Sequence, residues 1–125
     1  MAGGYDNRDG YIWMDGKMVD WREANVHILT HAMHYASSVF EGERAYGGEI
    51  FKLTEHTERL HESARILGFK IPFSVAEIDD ACRTLLKKQG LADAYVRPIA
   101  WRGSEMMGVS AQNNRINCAI AIWQW

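Results

Sequence analysis

Ser38-Val39-Phe40-Glu41-Gly42-Glu43-Arg44-Ala45-Tyr46-Gly47-Gly48-Glu49-Ile50-Phe51-Lys52-Leu53 is a strand pattern interrupted by a turn signal. Apolar and polar side chains alternate well enough as far as Tyr46 to predict one strand, Gly47-Gly48 turns the chain, and Glu49 to Leu53 returns as a second strand. A similar signal lies upstream: Tyr11-Ile12-Trp13-Met14 and Lys17-Met18-Val19 flank Asp15-Gly16, the dipeptide best suited to a two-residue hairpin. Between the hairpins a polar bend covers Asp20 to Asn25, Val26 to Leu29 reads as a short strand, and Thr30 is placed to cap a short helix through about Ser37.

Downstream the period changes. Thr54 is the expected cap of a helix whose Leu60, Ala64 and Leu67 share a face at i, i+4 and i+7, with Gly68 as its left-handed stop. Ser74-Val75-Ala76-Glu77 spells a capping box and opens a second helix. Its Ile78, Cys82, Leu85 and Leu86 face inward, and Lys87, Lys88 and Gly90 end it. Tyr95 to Trp101 and Ile116 to Trp123 are the remaining strands, joined by a loop over 102–115. Hairpins with two main helices inserted between them predict an α+β domain built on an antiparallel sheet.

The 125 residues are 47% apolar with a formal net charge of −2, enough for one core and without a composition shift that would divide it. Residues 1–10 read as a flexible amino terminus and 11–125 as the domain. No basic run exceeds Lys87-Lys88, so nucleic acid is not an expected partner. No apolar stretch is long enough to span a bilayer, and the start lacks a signal peptide's apolar core, so a cytoplasmic protein is expected. Cys82 and Cys118 form neither a disulfide framework nor a metal spacing and read as small core residues. The apolar end, Ala119-Ile120-Ala121-Ile122-Trp123-Gln124-Trp125, stops inside or just after a strand, which predicts a chain cut at a domain junction.

Several side chains are candidates for chemistry. His27, His31 and His34, with His56 and His61, invite a metal reading, but no familiar ligand set completes them and packing or hydrogen-bonding roles are expected. Glu41 and Glu43, two apart on one expected strand, form a carboxylate pair capable of acid/base work; for Glu43 a solvated face or an ion pair with Arg44 is the plainer reading. Arg97 lies in an otherwise apolar strand between Val96 and Pro98, where an unpaired charge is costly, and is expected to have an anionic partner. Tyr95 points to the same side, so one strand offers a phenol and a guanidinium to a carboxylate. Arg44 can pair with Glu41 or Glu43, and pattern alone leaves Arg59 as a solvated helix residue.

His34-Tyr35-Ala36-Ser37-Ser38-Val39-Phe40-Glu41-Gly42-Glu43-Arg44-Ala45-Tyr46, Glu58-Arg59-Leu60-His61-Glu62-Ser63-Ala64 and Ala94-Tyr95-Val96-Arg97-Pro98, in that order and spacing, resemble the amino-terminal half of the class IV aminotransferases. The resemblance runs from about Tyr11 to Trp125. Phe-Glu-Gly-x-Arg and Arg-Leu-x-x-Ser-Ala are shared across the class, including D-amino-acid aminotransferases and aminodeoxychorismate lyases. Tyr-x-Arg-Pro and Met107-Gly108-Val109 lean toward the branched-chain amino-acid aminotransferases.

What the resemblance implies is specific. The fold would be the smaller amino-terminal domain of a fold-type IV enzyme, and the cofactor pyridoxal 5′-phosphate. The reaction would move an amino group between leucine, isoleucine or valine and 2-oxoglutarate, in a homodimer or higher homo-oligomer. Arg59 matches the arginine that binds the cofactor's phosphate. Phe40 and Trp125 match the lining of the apolar substrate pocket, and Tyr35 and Val109 match residues that reach into the neighbouring subunit's site. Tyr95 matches a contact to the substrate α-carboxylate, Arg97 the receiver of glutamate's distal carboxylate, and Arg44 a supporting member. None of Lys17, Lys52, Lys70, Lys87 and Lys88 matches the family's catalytic lysine, so this chain alone is expected to be inactive. The alternatives are a D-amino-acid aminotransferase, an aminodeoxychorismate lyase, or a non-catalytic domain that binds an anion or a partner through Arg97 and the apolar end.

Overall fold

The computed structural model describes residues 3–125; Met1 and Ala2, the first of the expected flexible terminus, lie outside it. Among the described residues the chain builds seven strands in one sheet: β1 (Tyr11–Met14), β2 (Lys17–Asp20), β3 (Ser38–Phe40), β4 (Glu43–Tyr46), β5 (Glu49–Ile50), β6 (Ala94–Arg102) and β7 (Ile116–Gln124). Three α-helices accompany them, α1 (His31–Tyr35), α2 (Leu53–Leu67) and α3 (Val75–Lys88), with one 3-10 turn at Trp21–Glu23. The sheet order is β2-β1-β7-β6-β4-β5, with β3 also paired to β6, and every pairing is antiparallel. Strands β6 and β7 are its spine, in register from Ala94 opposite Gln124 to Arg102 opposite Ile116.

Alternation along the spine decides what is buried. Val96, Pro98 and Ala100 oppose Ile122, Ile120 and Cys118 on the face covered by α2 and α3, whereas Tyr95, Arg97 and Ile99 oppose Trp123, Ala121 and Ala119 on the other face. The core fills between sheet and helices: Leu60 and Ala64 from α2 and Ile78, Cys82, Leu85 and Leu86 from α3 meet Trp13, Val96, Ile120 and Ile122. Each fully buried Leu or Ile contributes roughly 1.5–3 kcal/mol through removal from water. Cys82 and Cys118 are buried free thiols as expected, and burial pushes the Cys118 thiol up to about 12.

The first hairpin forms as read, with Asp15 and Gly16 both at positive φ (51° and 93°). The Ser74–Glu77 capping box is complete in both directions.

Five readings need correction. Val26 to Leu29 is a turn, because His27 turns the chain on itself: its ring accepts from the Leu29 amide (3.0 Å) and its carbonyl from the Thr30 amide (3.0 Å). Ser38 to Tyr46 is two strands, broken at Glu41-Gly42, and the returning strand stops at Ile50. Helix α2 starts one residue before Thr54, behind a left-handed Lys52, because the Thr54 hydroxyl is engaged by Asp79 of α3 (2.7 Å). Leu67 is 44% exposed, and α2 buries Leu53 and Thr57 with Leu60 and Ala64 instead. Glu43 is neither solvated nor paired with Arg44: pairing opposite Val96 turns it into the core.

Candidate active site

The uncovered sheet face carries the candidate site. Strand β6 presents Tyr95 and Arg97, β3 presents Phe40 and β4 presents Arg44, all by pleat parity. The Arg97 guanidinium donates to the Tyr95 hydroxyl from Nη2 (2.7 Å) and Nε (3.2 Å) and lies over the Phe40 ring, 4.2 Å from its centroid. The expected anionic partner of Arg97 is not present among the described residues. Its strand face is open, so the guanidinium keeps part of its hydration and is satisfied by a phenol and an aromatic face. Beside Tyr95, Trp125 stacks at 5.2 Å and Trp123 sits at 4.8 Å, while Arg44 lies 5.1 Å from the Trp125 ring centroid. Phe40 and Trp125 remain 55% and 64% exposed. Next to this cluster a groove of about 350 Å³ runs along the sheet, lined by Arg97, Ile99, Met14, Val26, Met33 and Ala119 among others.

The break between β3 and β4 organises the other half of the site. The Glu41 amide donates to the Pro98 carbonyl (3.0 Å), which holds the break against β6. Gly42 passes so close to the Tyr95 hydroxyl that a Cβ there would overlap it, so the glycine serves the phenol's position. Glu41 turns away from the open face and takes Arg59 of α2 in a two-pronged pair, Nε to Oε2 at 2.8 Å and Nη2 to Oε1 at 2.7 Å. His56 Nδ1 bonds the same carboxylate at 2.6 Å. Burial pushes the Glu41 carboxyl up, but the hydrogen bonds from Arg59 and His56 outweigh it and hold the group below the ordinary carboxylate range. Glu41 is 4% exposed at its side chain and Arg59 is 66% exposed, so the pair has a buried acid and a solvent-facing base.

Glu43 behaves differently. It is 1% exposed, and neither carboxylate oxygen has a hydrogen-bond partner among the described residues. Burial, with the charges of Glu41 and Asp79, pushes its carboxyl up to about 8. Arg44, next along the strand, points to the opposite face and approaches the Tyr46 and Trp125 rings, not either glutamate.

Tyr35 and Val109 lie apart from the Tyr95–Arg97 cluster but in one neighbourhood. The Tyr35 hydroxyl donates to the Met107 carbonyl (3.0 Å), and Val109 projects from the same loop at 77% exposure. Two buried residues hold this loop. Buried His31 bonds Ser37 Oγ (2.7 Å) and the Gly108 carbonyl (2.9 Å), and buried Arg102 ties the Ala111 carbonyl (3.1 Å) to Gly68 at the end of α2 (3.0 Å). His31 takes the hydrogen-bonding role expected of the histidines, whereas Arg102 was missed because its signal is weak: it ends a strand beside a glycine. Among the described residues no group of three or more His, Cys, Asp or Glu side chains is arranged to hold a metal ion, and no helix is long and apolar enough to cross a membrane.

The structure therefore gathers Phe40, Arg44, Tyr95, Arg97 and Trp125 on one face, joins Arg59 to them through Glu41, and sets Tyr35 and Val109 on a neighbouring loop. The chain is 46% identical over 123 residues to the branched-chain-amino-acid aminotransferase of Pseudomonas aeruginosa, covering 95% of this chain and 40% of that protein. The crystal structure of the Escherichia coli branched-chain amino acid aminotransferase superposes with a TM-score of 0.90 at 40% identity, covering 94% of this chain and 40% of that one. The branched-chain aminotransferase of the thermophilic archaeon Thermoproteus uzoniensis, solved with norvaline, matches with a TM-score of 0.89 at 32% identity, covering 94% of this chain and 41% of that one. The chain thus spans about 40% of the length of these relatives. The match to the amino-transferase class IV model extends over residues 38–125, from the first residue of β3 through the whole aromatic and guanidinium face, and on that match the chain belongs to the class IV aminotransferase family.

Proposed function

We propose that this chain works, within a polypeptide of its relatives' length, as the amino-terminal domain of a branched-chain amino-acid aminotransferase. It would exchange the amino group of leucine, isoleucine or valine with 2-oxoglutarate, using pyridoxal 5′-phosphate. The observation that carries the reading is the open sheet face, where Arg97, bonded to Tyr95, lines an otherwise largely apolar groove. A branched aliphatic side chain fits an apolar groove, and a guanidinium in its wall receives the second carboxylate of glutamate in the same space.

The cofactor's phosphate suits the donor chemistry of Arg59. That guanidinium faces solvent, its Nε and Nη2 are taken by Glu41, and Nη1 is unengaged among the described residues. When bound, pyridoxal phosphate supplies the electron sink for the carbanion left as the α-proton departs. The residues of this chain bind and orient. Tyr95 accepts from Arg97 and so keeps its own hydroxyl hydrogen for the substrate α-carboxylate. Arg97 turns its remaining N–H groups to a distal carboxylate, Phe40 and Trp125 flank the Arg97–Tyr95 pair with aromatic surface, and Arg44 steadies Trp125. Tyr35 and Val109 would serve the site of a neighbouring subunit in a homodimer or higher oligomer. The 125-residue chain alone is expected to lack transaminase activity, and the whole protein is expected in the cytoplasm.

The test compares kcat/KM of the full-length protein for leucine, D-alanine and aminodeoxychorismate. Leucine, with 2-oxoglutarate as acceptor, is expected to be the preferred substrate; preference for either of the others overturns the reading.

A further inference from the structure

We propose that Glu41 is the positioning residue for the phosphate-binding guanidinium of Arg59, holding it by its inner edge so that a phosphate monoester meets a fixed donor set and not a mobile side chain. The inference rests on the reading of Arg59 as the phosphate anchor. The structural basis is the asymmetry of the pair. Arg59 stands on α2 with its side chain 66% exposed, and an exposed arginine free of partners samples many rotamers that binding must freeze. Glu41 is almost wholly buried, and its backbone is fixed at the break between β3 and β4 by the bond to Pro98. The two-pronged contact uses Nε and Nη2 and leaves the Nη1 edge for a ligand. His56, one helical turn before Arg59, bonds Oε1 of the same carboxylate and fixes its rotation.

Charge alone argues the other way, because a carboxylate beside an anion site repels the anion. The surroundings limit that penalty. From α2, Arg59 and His56 both face Glu41. From α3, Asp79 is occupied by the hydroxyls of Thr54 and Thr57. From β4, Glu43 is buried among core side chains. A purely structural account is the competing one: Arg59 and His56 would exist to satisfy a buried acid. The two accounts differ in what happens to phosphate recognition when Glu41 is neutralised.

The experiment uses the full-length protein freed of cofactor, titrated with pyridoxine 5′-phosphate and with pyridoxine, which lack the aldehyde and bind without a covalent step. The ratio of their dissociation constants measures what the phosphate contributes. Glu41→Gln is expected to reduce that ratio about tenfold, the scale of one lost charge-assisted contact, while leaving pyridoxine affinity unchanged. Arg59→Gln is expected to remove most of the ratio, and adding Glu41→Gln to it should change nothing further. A ratio in Glu41→Gln equal to or above the unmodified protein's, with Arg59→Gln impaired, overturns the positioning role. An undiminished ratio in Arg59→Gln overturns the anchor reading and this inference with it. Should Glu41→Gln not fold, Glu41→Asp keeps the charge but shortens the reach; a severalfold smaller ratio is expected, and an unchanged one overturns the proposal.

Discussion

Glu43 and Arg44 are adjacent in sequence and separated by the thickness of the sheet. A sequence reading that treats neighbouring opposite charges as an ion pair misses this, because pleat parity is set by register against β6 and not by the local residues. The consequence for Glu43 is measurable. Its carboxyl titrates near 8 when folded against an ordinary 4.5, so between those values the folded protein keeps a proton that the unfolded chain has released. Stability from this group is therefore fully present below about 4.5 and lost progressively as pH rises to about 8, by an amount on the order of a few kcal/mol. Glu43→Gln lacks the titration. The difference in unfolding free energy between the two proteins, followed by denaturant titration across this range, should shift steadily in favour of the variant, and a constant difference would contradict the assignment. Arg97 teaches a related lesson: its cost in an apolar strand was legible, but its solution, a phenol and a phenyl ring, depended on Phe40 arriving from another strand.

At the scale of elements, what was legible had its cause in a few consecutive residues. Asp15-Gly16 makes its hairpin with both residues at positive φ, and Ser74 and Glu77 close their box within one turn. Ser74→Ala should cost about 1 kcal/mol, read as a lower midpoint in urea without change in slope, because only one amide of α3 loses its acceptor. No loss of stability would mean that tertiary packing alone holds the start of α3. The elements misread were decided by distant partners or by a side chain's own turn. Thr54 looked like a cap but spends its hydroxyl on Asp79, and His27 turns a β-like stretch into a bend. The break at Glu41-Gly42 was hidden because alternation continues through it. It shapes the candidate site most, since it sends Phe40 to the open face, Glu41 to Arg59, and leaves room at Gly42 for Tyr95.

The whole molecule divides its labour between two faces of one sheet. One face is sealed by α2 and α3 and supplies the rigidity; the other is left open and carries phenol, guanidinium and aromatic walls beside an apolar groove. Composition and periodicity reached the α+β layout but not this division, because an exposed Phe40 and a guanidinium without an acid look like defects until the register is known. The family motifs named the residues; the fold supplies the reason they belong together. If Arg97 receives a distal carboxylate while the groove takes the branched side chain, the two substrates of one site must respond differently to its loss. The most direct measurement is kcat/KM for glutamate and for leucine in the full-length Arg97→Met protein, which keeps an unbranched stem over Phe40. The account predicts a fall of about a hundredfold for glutamate, the scale of a lost charged hydrogen bond, and only a few-fold for leucine. Equal losses for both substrates, or a larger one for leucine, would contradict it.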